Sequence, residues 1–225
     1  MKRETFLLGV LGLLFGLPSC RGDAATGSTD PGSATVADTD ADGDASSGEP
    51  SGLLGELQGV WGSEACETDG TNAFRRTFTF DGDAWDIAFV IYGDPSCTAG
   101  QEFIRFDFGG DLSVEGPSDT VDGSTNAFFG FTRRTITPAS DAAAAFLVDG
   151  AACDGAAWAT GTPLDVHADG CATFGVLAAD ACAGEFDLIG LDGQTLRLGV
   201  RPADNNLCEA QLRPRALGAT LVRAE

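Results

Sequence analysis

Cysteine constrains this chain more than any other residue. Of seven cysteines, six (Cys66, Cys97, Cys153, Cys171, Cys182 and Cys208) lie between residues 66 and 208, while Cys20 stands apart near the N-terminus. An even set of cysteines in an oxidising compartment reads as three disulfides, and six cysteines allow fifteen pairings that spacing does not distinguish. Metal binding is the rival use. No Cys-x-x-Cys occurs and His167 is the only histidine, so zinc is not expected.

The N-terminus agrees with export. Lys2 and Arg3 precede an apolar run over residues 6–17 that only glycines interrupt, and Leu17-Pro18-Ser19-Cys20 follows. A helix needs about 20 apolar residues to span a bilayer, so this run is too short. A charged start, a short apolar core and small residues at its end mark an export signal. The tetrapeptide resembles the bacterial lipobox, whose cysteine thiol receives a diacylglycerol and becomes the new N-terminus. Residues 1–19 are therefore read as a lipoprotein signal peptide and Cys20 as the lipidated residue. Several acyl chains on one cysteine hold a protein at a membrane stably. Arg21, where an aspartate would favour retention, resembles lipoproteins sent to the outer membrane of Gram-negative bacteria.

Residues 20–53 read as a lipidated tether. Beyond Cys20 the segment is built from Asp, Ser, Gly, Thr, Ala and Pro and lacks aromatics, so it cannot bury enough apolar surface to offset ordering entropy. Its carboxylates repel one another and extend it. Within it, Asp38, Asp40, Asp42, Gly43 and Glu49 satisfy the EF-hand loop pattern, with Asp44 as a further oxygen donor. Alternating carboxylates suit Ca²⁺. The flanking Gly-Ser-Ala and Gly-Glu-Pro-Ser-Gly cannot supply the two helices of that motif, and an Asp-rich linker meets the pattern by chance.

Residues 54–225 read as a single domain, long enough for one core. Arg76-Thr77-Phe78-Thr79-Phe80 alternates, with Arg76, Phe78 and Phe80 on one face. Asp81-Gly82-Asp83 signals a turn, residues 85–92 resume as a strand, and Asp94-Pro95 breaks it. Ile104, Phe106 and Phe108 alternate before Gly109-Gly110-Asp111, which reads as another turn. Phe186-Asp187-Leu188, the Leu191-Asp192-Gly193 turn and Leu196-Arg197-Leu198 repeat the pattern. Short alternating strands separated by Asp-Gly turns predict an all-β, mainly antiparallel domain, its curved sheet forming a barrel or half-barrel. The Ala-rich residues 139–145 are the one candidate for a short helix. Thirteen of the fifteen phenylalanines lie in this domain with all three tryptophans, and apolar residues occupy both faces in Phe103-Ile104 and Phe128-Phe129. Most such rings belong to a core. As a set, Trp61, Phe78, Phe80, Trp85, Phe89, Phe106, Phe108, Phe129 and Phe131 are candidates to line an apolar ligand pocket.

Several blocks carry a family resemblance. Gly59-Val60-Trp61-Gly62-Ser63-Glu64-Ala65-Cys66-Glu67 resembles the opening Gly-x-Trp-x-Ser-x-x-Cys-Glu of the adenomatosis-polyposis-coli-down-regulated domain, named for an animal Wnt inhibitor. Arg76-x-Phe78-x-Phe80, Tyr92-Gly93-Asp94-Pro95-Ser96-Cys97, residues 155–158, Gly170-Cys171, Glu185-Phe186-Asp187-Leu188, Arg201-Pro202 and Cys208 follow in the family's order. The resemblance implies a disulfide-stapled, barrel-like domain with a pocket for a lipid or an acyl group. It also implies the pairs Cys66–Cys97 and Cys153–Cys171, leaving Cys182 with Cys208. The animal protein resembles two such domains in tandem; here there is one, and Wnt antagonism does not transfer to a chain with a bacterial export signal. Gly59-Val60-Trp61 is also similar to the first lipocalin motif, but the later Thr-Asp-Tyr motif is missing.

The net charge is −21, and from residue 51 onward ten arginines face 26 acids. Such a surface disfavours nucleic acid, which demands a basic face. No Gly-x-Ser-x-Gly elbow occurs. Oxidised cysteines are not nucleophiles, and His167 alone makes no catalytic constellation, so neither an enzyme nor a cofactor is expected. The favoured function is a membrane-anchored, extracytoplasmic binding protein for a lipid or another hydrophobic small molecule. A solid-core structural or protein-interaction domain is the alternative, without a named protein partner, and a lipocalin-like carrier or carboxylate-dependent hydrolase ranks third. The carboxylate loop yields a direct test: calorimetry of residues 21–52 with millimolar Ca²⁺ is expected to show no binding heat.

Overall fold

The computed structural model describes residues 50–224 apart from Thr71 and Asp204. Residues 1–49, which hold the expected signal segment, Cys20, most of the expected tether and Asp38, Asp40, Asp42, Asp44 and Glu49, lie outside the described residues. Helix α1 (Pro50–Leu57) leads into strands β1 (Gly59–Ser63), β2 (Glu67–Thr68), β3 (Ala73–Asp81), β4 (Ala84–Tyr92), β5 (Glu102–Pro117), β6 (Thr125–Gly130) and β7 (Arg133–Pro138). Helices α2 (Asp141–Asp149) and α3 (Ala152–Gly155) follow, then β8 (Leu164–Asp165), β9 (Gly184–Asp192), β10 (Thr195–Gly199) and β11 (Leu217–Arg223).

Eight of these strands close into an antiparallel barrel. Around it, β3 pairs with β1, β1 with β11, β11 with β10, β10 with β9, β9 with β6, β6 with β5, β5 with β4, and β4 again with β3. Closure leaves no sheet edge on the ring. Period-two alternation sends Phe78 and Phe80, Trp85, Leu112, Ala127 and Phe129, Ile189, Leu196 and Leu198, and Leu221 into one core. Trp61 joins them between its cross-strand partners Phe78 and Arg223. The indole nitrogen of Trp61 donates to the Leu57 carbonyl at 2.7 Å, and the Arg223 guanidinium lies 4.2 Å from its ring centroid. Leu53, Leu54 and Leu57 of α1 pack against the same core. The folded unit thus starts a few residues ahead of Leu54, because Pro50–Leu57 forms a helix whose leucines the barrel buries.

The reading of Gly109-Gly110-Asp111 as a turn is corrected. β5 runs straight through it as a 16-residue strand. Its first half pairs with β7 from Ile104 to Gly109, and its second half pairs along the same edge with β6 from Leu112 to Pro117. β6 and β7 are one antiparallel path kinked at residues 131–132, and the kink crosses β5 at the glycines. A Cβ on Gly110 would lie 2.1 Å from the Gly130 carbonyl oxygen; one on Gly109 would lie 2.8 Å from that of Trp85. These glycines permit close approach of main chains, the second role the residue plays inside strands.

Beyond the kink β7 leaves the barrel and pairs with β8. This extension carries a second core: Ile104, Phe106, Ile136, Ala143, Leu147, Ala152, Trp158, Val166 and Cys171. The Ala-rich segment is helix α2. Ser140 caps it by accepting from the Ala143 N–H, and Asp141 occupies its first turn, where a carboxylate favours the helix dipole. The disulfides join Cys66 to Cys97, Cys153 to Cys171 and Cys182 to Cys208, the pairs the family resemblance implies. Three disulfides place the domain in an oxidising compartment outside the cytoplasm.

Gly110→Ala is expected to lower unfolding stability by about 1–3 kcal/mol through main-chain overpacking. Gly55→Ala, in helix α1 with nothing within 4 Å of the added Cβ, is expected to raise it by up to about 1 kcal/mol. Urea midpoints of the oxidised chain read both.

Candidate functional site

The nine candidate pocket residues do not converge on one cavity. Trp61, Phe78, Phe80, Trp85 and Phe129 belong to the barrel core, with Phe108 and Phe131 packed beside it; Phe106 belongs to the second core, with Phe89 against it. The inward side chains of the barrel are all nearly inaccessible: Trp61, Leu196 and Leu221 are 0% exposed, and Phe129 is 3% exposed. The barrel therefore does not hold the empty apolar lumen that the aromatic content suggests. Interior side chains from all eight strands, together with the α1 leucines, fill a ring this small.

Six of the nine rings nevertheless form one connected path, apart from Trp61, Phe78 and Phe80. Phe89 meets Phe106 at 5.7 Å between centroids, Phe106 meets Phe108 at 6.2 Å, and Phe108 meets Phe131 at 6.0 Å. Phe131 then meets Trp85 at 5.8 Å, and Trp85 meets Phe129 at 5.1 Å. Most of these contacts are edge-on or tilted, the favourable arrangements for aromatic quadrupoles. The path joins the two cores through the kink, where Phe108 and Phe131 are only half-buried.

At that junction lies a cleft of about 40 Å³, lined by Phe108, Phe131, Arg134, Val176, Leu177 and Glu185 among others, with Cys182 and Cys208 on its wall. A larger depression, about 240 Å³, lies by Tyr92 and Asp94. It is open, away from the aromatic path, and the Asp94 carboxylate there already accepts from Ser96 and Thr98. The smaller cleft is the better candidate because its charged groups are buried.

Arg134 is 2% exposed. Its Nη1 donates to the Leu177 carbonyl at 2.7 Å and its Nη2 to the His167 carbonyl at 2.8 Å, while its guanidinium carbon lies 4.8 Å from the Phe131 centroid. Its Nε is buried without a partner, and no carboxylate forms an ion pair with it among the described residues. Burial pulls its pKa below the ordinary arginine value, and Glu185 and Asp165 draw it back up. Glu185 is engaged by Arg201. His167 contributes its carbonyl, not its imidazole, and its Nδ1 is buried without a partner.

Asp187 lies two residues along β9 from Glu185 and points the same way. It is 5% exposed, and its Oδ1 accepts from the Leu188 N–H at 2.7 Å and the Gly199 N–H at 2.9 Å. The carboxylate thus serves main-chain donors where the β9–β10 ladder ends. Burial pushes its pKa up to about 6, against the lowering influence of Arg201 and the two hydrogen bonds. Glu185 and Asp187 are the two inward carboxylates a hydrolase would need, but an arginine occupies the first and main-chain N–H groups the second. Among the described residues no group of His, Cys, Asp or Glu could hold a metal ion.

Sequence reasoning missed Arg134 and Asp187. Arg134 offered no signal beyond its place in Arg133-Arg134. Asp187 reads only as part of the strand Phe186-Asp187-Leu188, although its spacing from Leu191 puts it on the same face. Compared with protein-family models and with curated proteins, the chain matches none.

The Asp187 environment yields a pH test. Below its ordinary value of 3.8 the carboxyl is protonated in both states and the folded form is fully favoured; that contribution is lost as pH rises through about 6. Asp187→Asn removes the ionisation. Relative to the parent, its unfolding free energy is expected to improve by up to about 3 kcal/mol between about pH 4 and about pH 7.5, read by urea denaturation at both values.

Proposed function

We propose that this chain is an exported bacterial lipoprotein, anchored through Cys20 in the outer membrane, whose domain binds a hydrophobic small molecule such as a lipid without catalysing its turnover. The ligand is held at the junction of barrel and extension, outside the filled lumen. One observation carries this reading: the aromatic path reaches the surface at Phe108 and Phe131, beside Val176 and a Leu177 that is 43% exposed. Apolar surface that stays reachable in this way marks a binding site more often than isolated exposed residues do. Enclosed ligand pockets commonly measure about 300–1,000 Å³, so a cleft of about 40 Å³ admits only one end of a ligand. The remainder lies along Leu177 and Val176. The resemblance of the residue blocks quoted above to the adenomatosis-polyposis-coli-down-regulated domain, here as a single-domain, lipid-anchored version, points to the same choice.

A second reading, a solid interaction scaffold, is favoured by the filled barrel. Native mass spectrometry of a Cys20→Ser form exported from bacteria separates the two. A co-purifying fatty acid or phospholipid, and displacement of the neutral fluorophore N-phenylnaphthylamine by alkyl compounds, are expected. Phe131→Leu is expected to weaken fluorophore binding about tenfold. A homogeneous ligand-free mass together with no fluorophore binding would leave the scaffold reading.

A further inference from the structure

We infer that the cleft at Arg134 is a carboxylate-accepting site, filled either by a free small carboxylate or by the headgroup of an amphiphile whose tail lies on Phe131 and Leu177. The tail half of this inference rests on the binding function proposed above; the anion half does not.

A guanidinium carries five N–H donors in a rigid fork. In Arg134 two of them meet main-chain carbonyls, Leu177 and His167, and three have no acceptor among the described residues. Arginine is rarely buried without an ionic partner, since its charge loses hydration that neutral carbonyls replace only in part. Five of the other described arginines show the usual arrangement: Arg76 pairs with Glu67, Arg105 with Asp107, Arg133 with Asp86, Arg201 with Glu185 and Arg213 with Glu115. Arg75, Arg197, Arg215 and Arg223 form no ion pair among the described residues either, but each is exposed or only partly buried, where water serves its charge. Arg134 is more buried than any of these and has no such partner. In a domain with 26 acids, the one arginine that is fully buried lacks an ion-pair partner among the described residues, and it lines the cleft where the aromatic path surfaces.

The neighbours suit an anion. The carboxylate nearest the cleft, Glu185, has its oxygens taken by Arg201, with Arg201 Nη1 at 2.9 Å. Phe131 fixes the guanidinium plane from one side. The cleft, about 40 Å³, is small and has room for a carboxylate group but not for a whole alkyl chain. Arginine forks recognise carboxylates through paired charge-assisted hydrogen bonds. The expected ligand is thus a monocarboxylate with one small charged end.

The test uses the ¹⁵N-labelled Cys20→Ser chain with its disulfides intact. The Arg134 Nε–Hε resonance is assigned by its loss in Arg134→Lys, and acetate, decanoate and decanol are titrated. Decanoate is expected to shift the Arg134 resonance and to bind at least about tenfold more tightly than decanol. Arg134→Met is expected to erase that preference; should it not fold, the titrations of the parent chain decide alone. Acetate shifting the resonance, with decanoate no tighter, supports the anion site for a free carboxylate and removes the apolar tail contact. Equal binding of decanoate and decanol without a shift at Arg134 overturns the anion site and leaves the apolar reading standing. No response to any of the three overturns both.

Discussion

The crossing of the Gly130–Thr132 kink over Gly109–Gly110 allows one long strand to serve two layers. On a single edge β5 pairs first with β7 and then with β6. β6 stays in the barrel through β9, whereas β7 departs to pair with β8. Main chains at the crossing approach more closely than any side chain would permit. Without it the path from β6 to β7 would have to end or run on along the barrel wall. The second core and the junction cleft would then have no common strand.

The junction is also where the two cores stop being purely apolar. The barrel interior is almost wholly apolar and buried, yet Glu185 and Asp187 enter it from β9, and Arg134 approaches from β7. Buried charges persist when partners compensate them. Glu185 has Arg201, and Asp187 has two main-chain N–H groups and a raised pKa. Arg134 has two carbonyls and an aromatic face. This polar knot lies where β9 and β10 part and the Cys182–Cys208 disulfide ties the flanking loops. A solvent-free wall around charged groups strengthens each electrostatic contact made there.

Much of the fold was legible. Alternation in β3 and the first half of β5 grouped the residues of the buried face correctly, because each of those stretches has one buried and one wetter face; β4 was legible only as a strand. The Asp-Gly turn at residue 82 and the turn after Asp192 were also readable from local chemistry. The Gly-Gly pair misled, since glycine serves turns and close strand crossings alike, and only the neighbouring chain distinguishes them. The split of the phenylalanines between two cores was equally hidden. Phe106 and Phe108 lie on the same face of one strand, yet Phe106 belongs to the second core while Phe108, nearer the kink, packs against both.

The sequence by itself determined the chemistry of the parts: an even cysteine set for an oxidising compartment, alternating strands, an excess of rings and a surface too acidic for nucleic acid. These follow from composition and period, which are properties of neighbours along the chain. Tertiary structure alone decided that the barrel interior is occupied by packed side chains, that the rings link two cores, and that one arginine of an ordinary Arg-Arg pair is buried without an ion pair while the other reaches Asp86. Burial and pairing are set by residues far apart in sequence, so the position of Arg134 became visible only once β7 had turned away from the barrel.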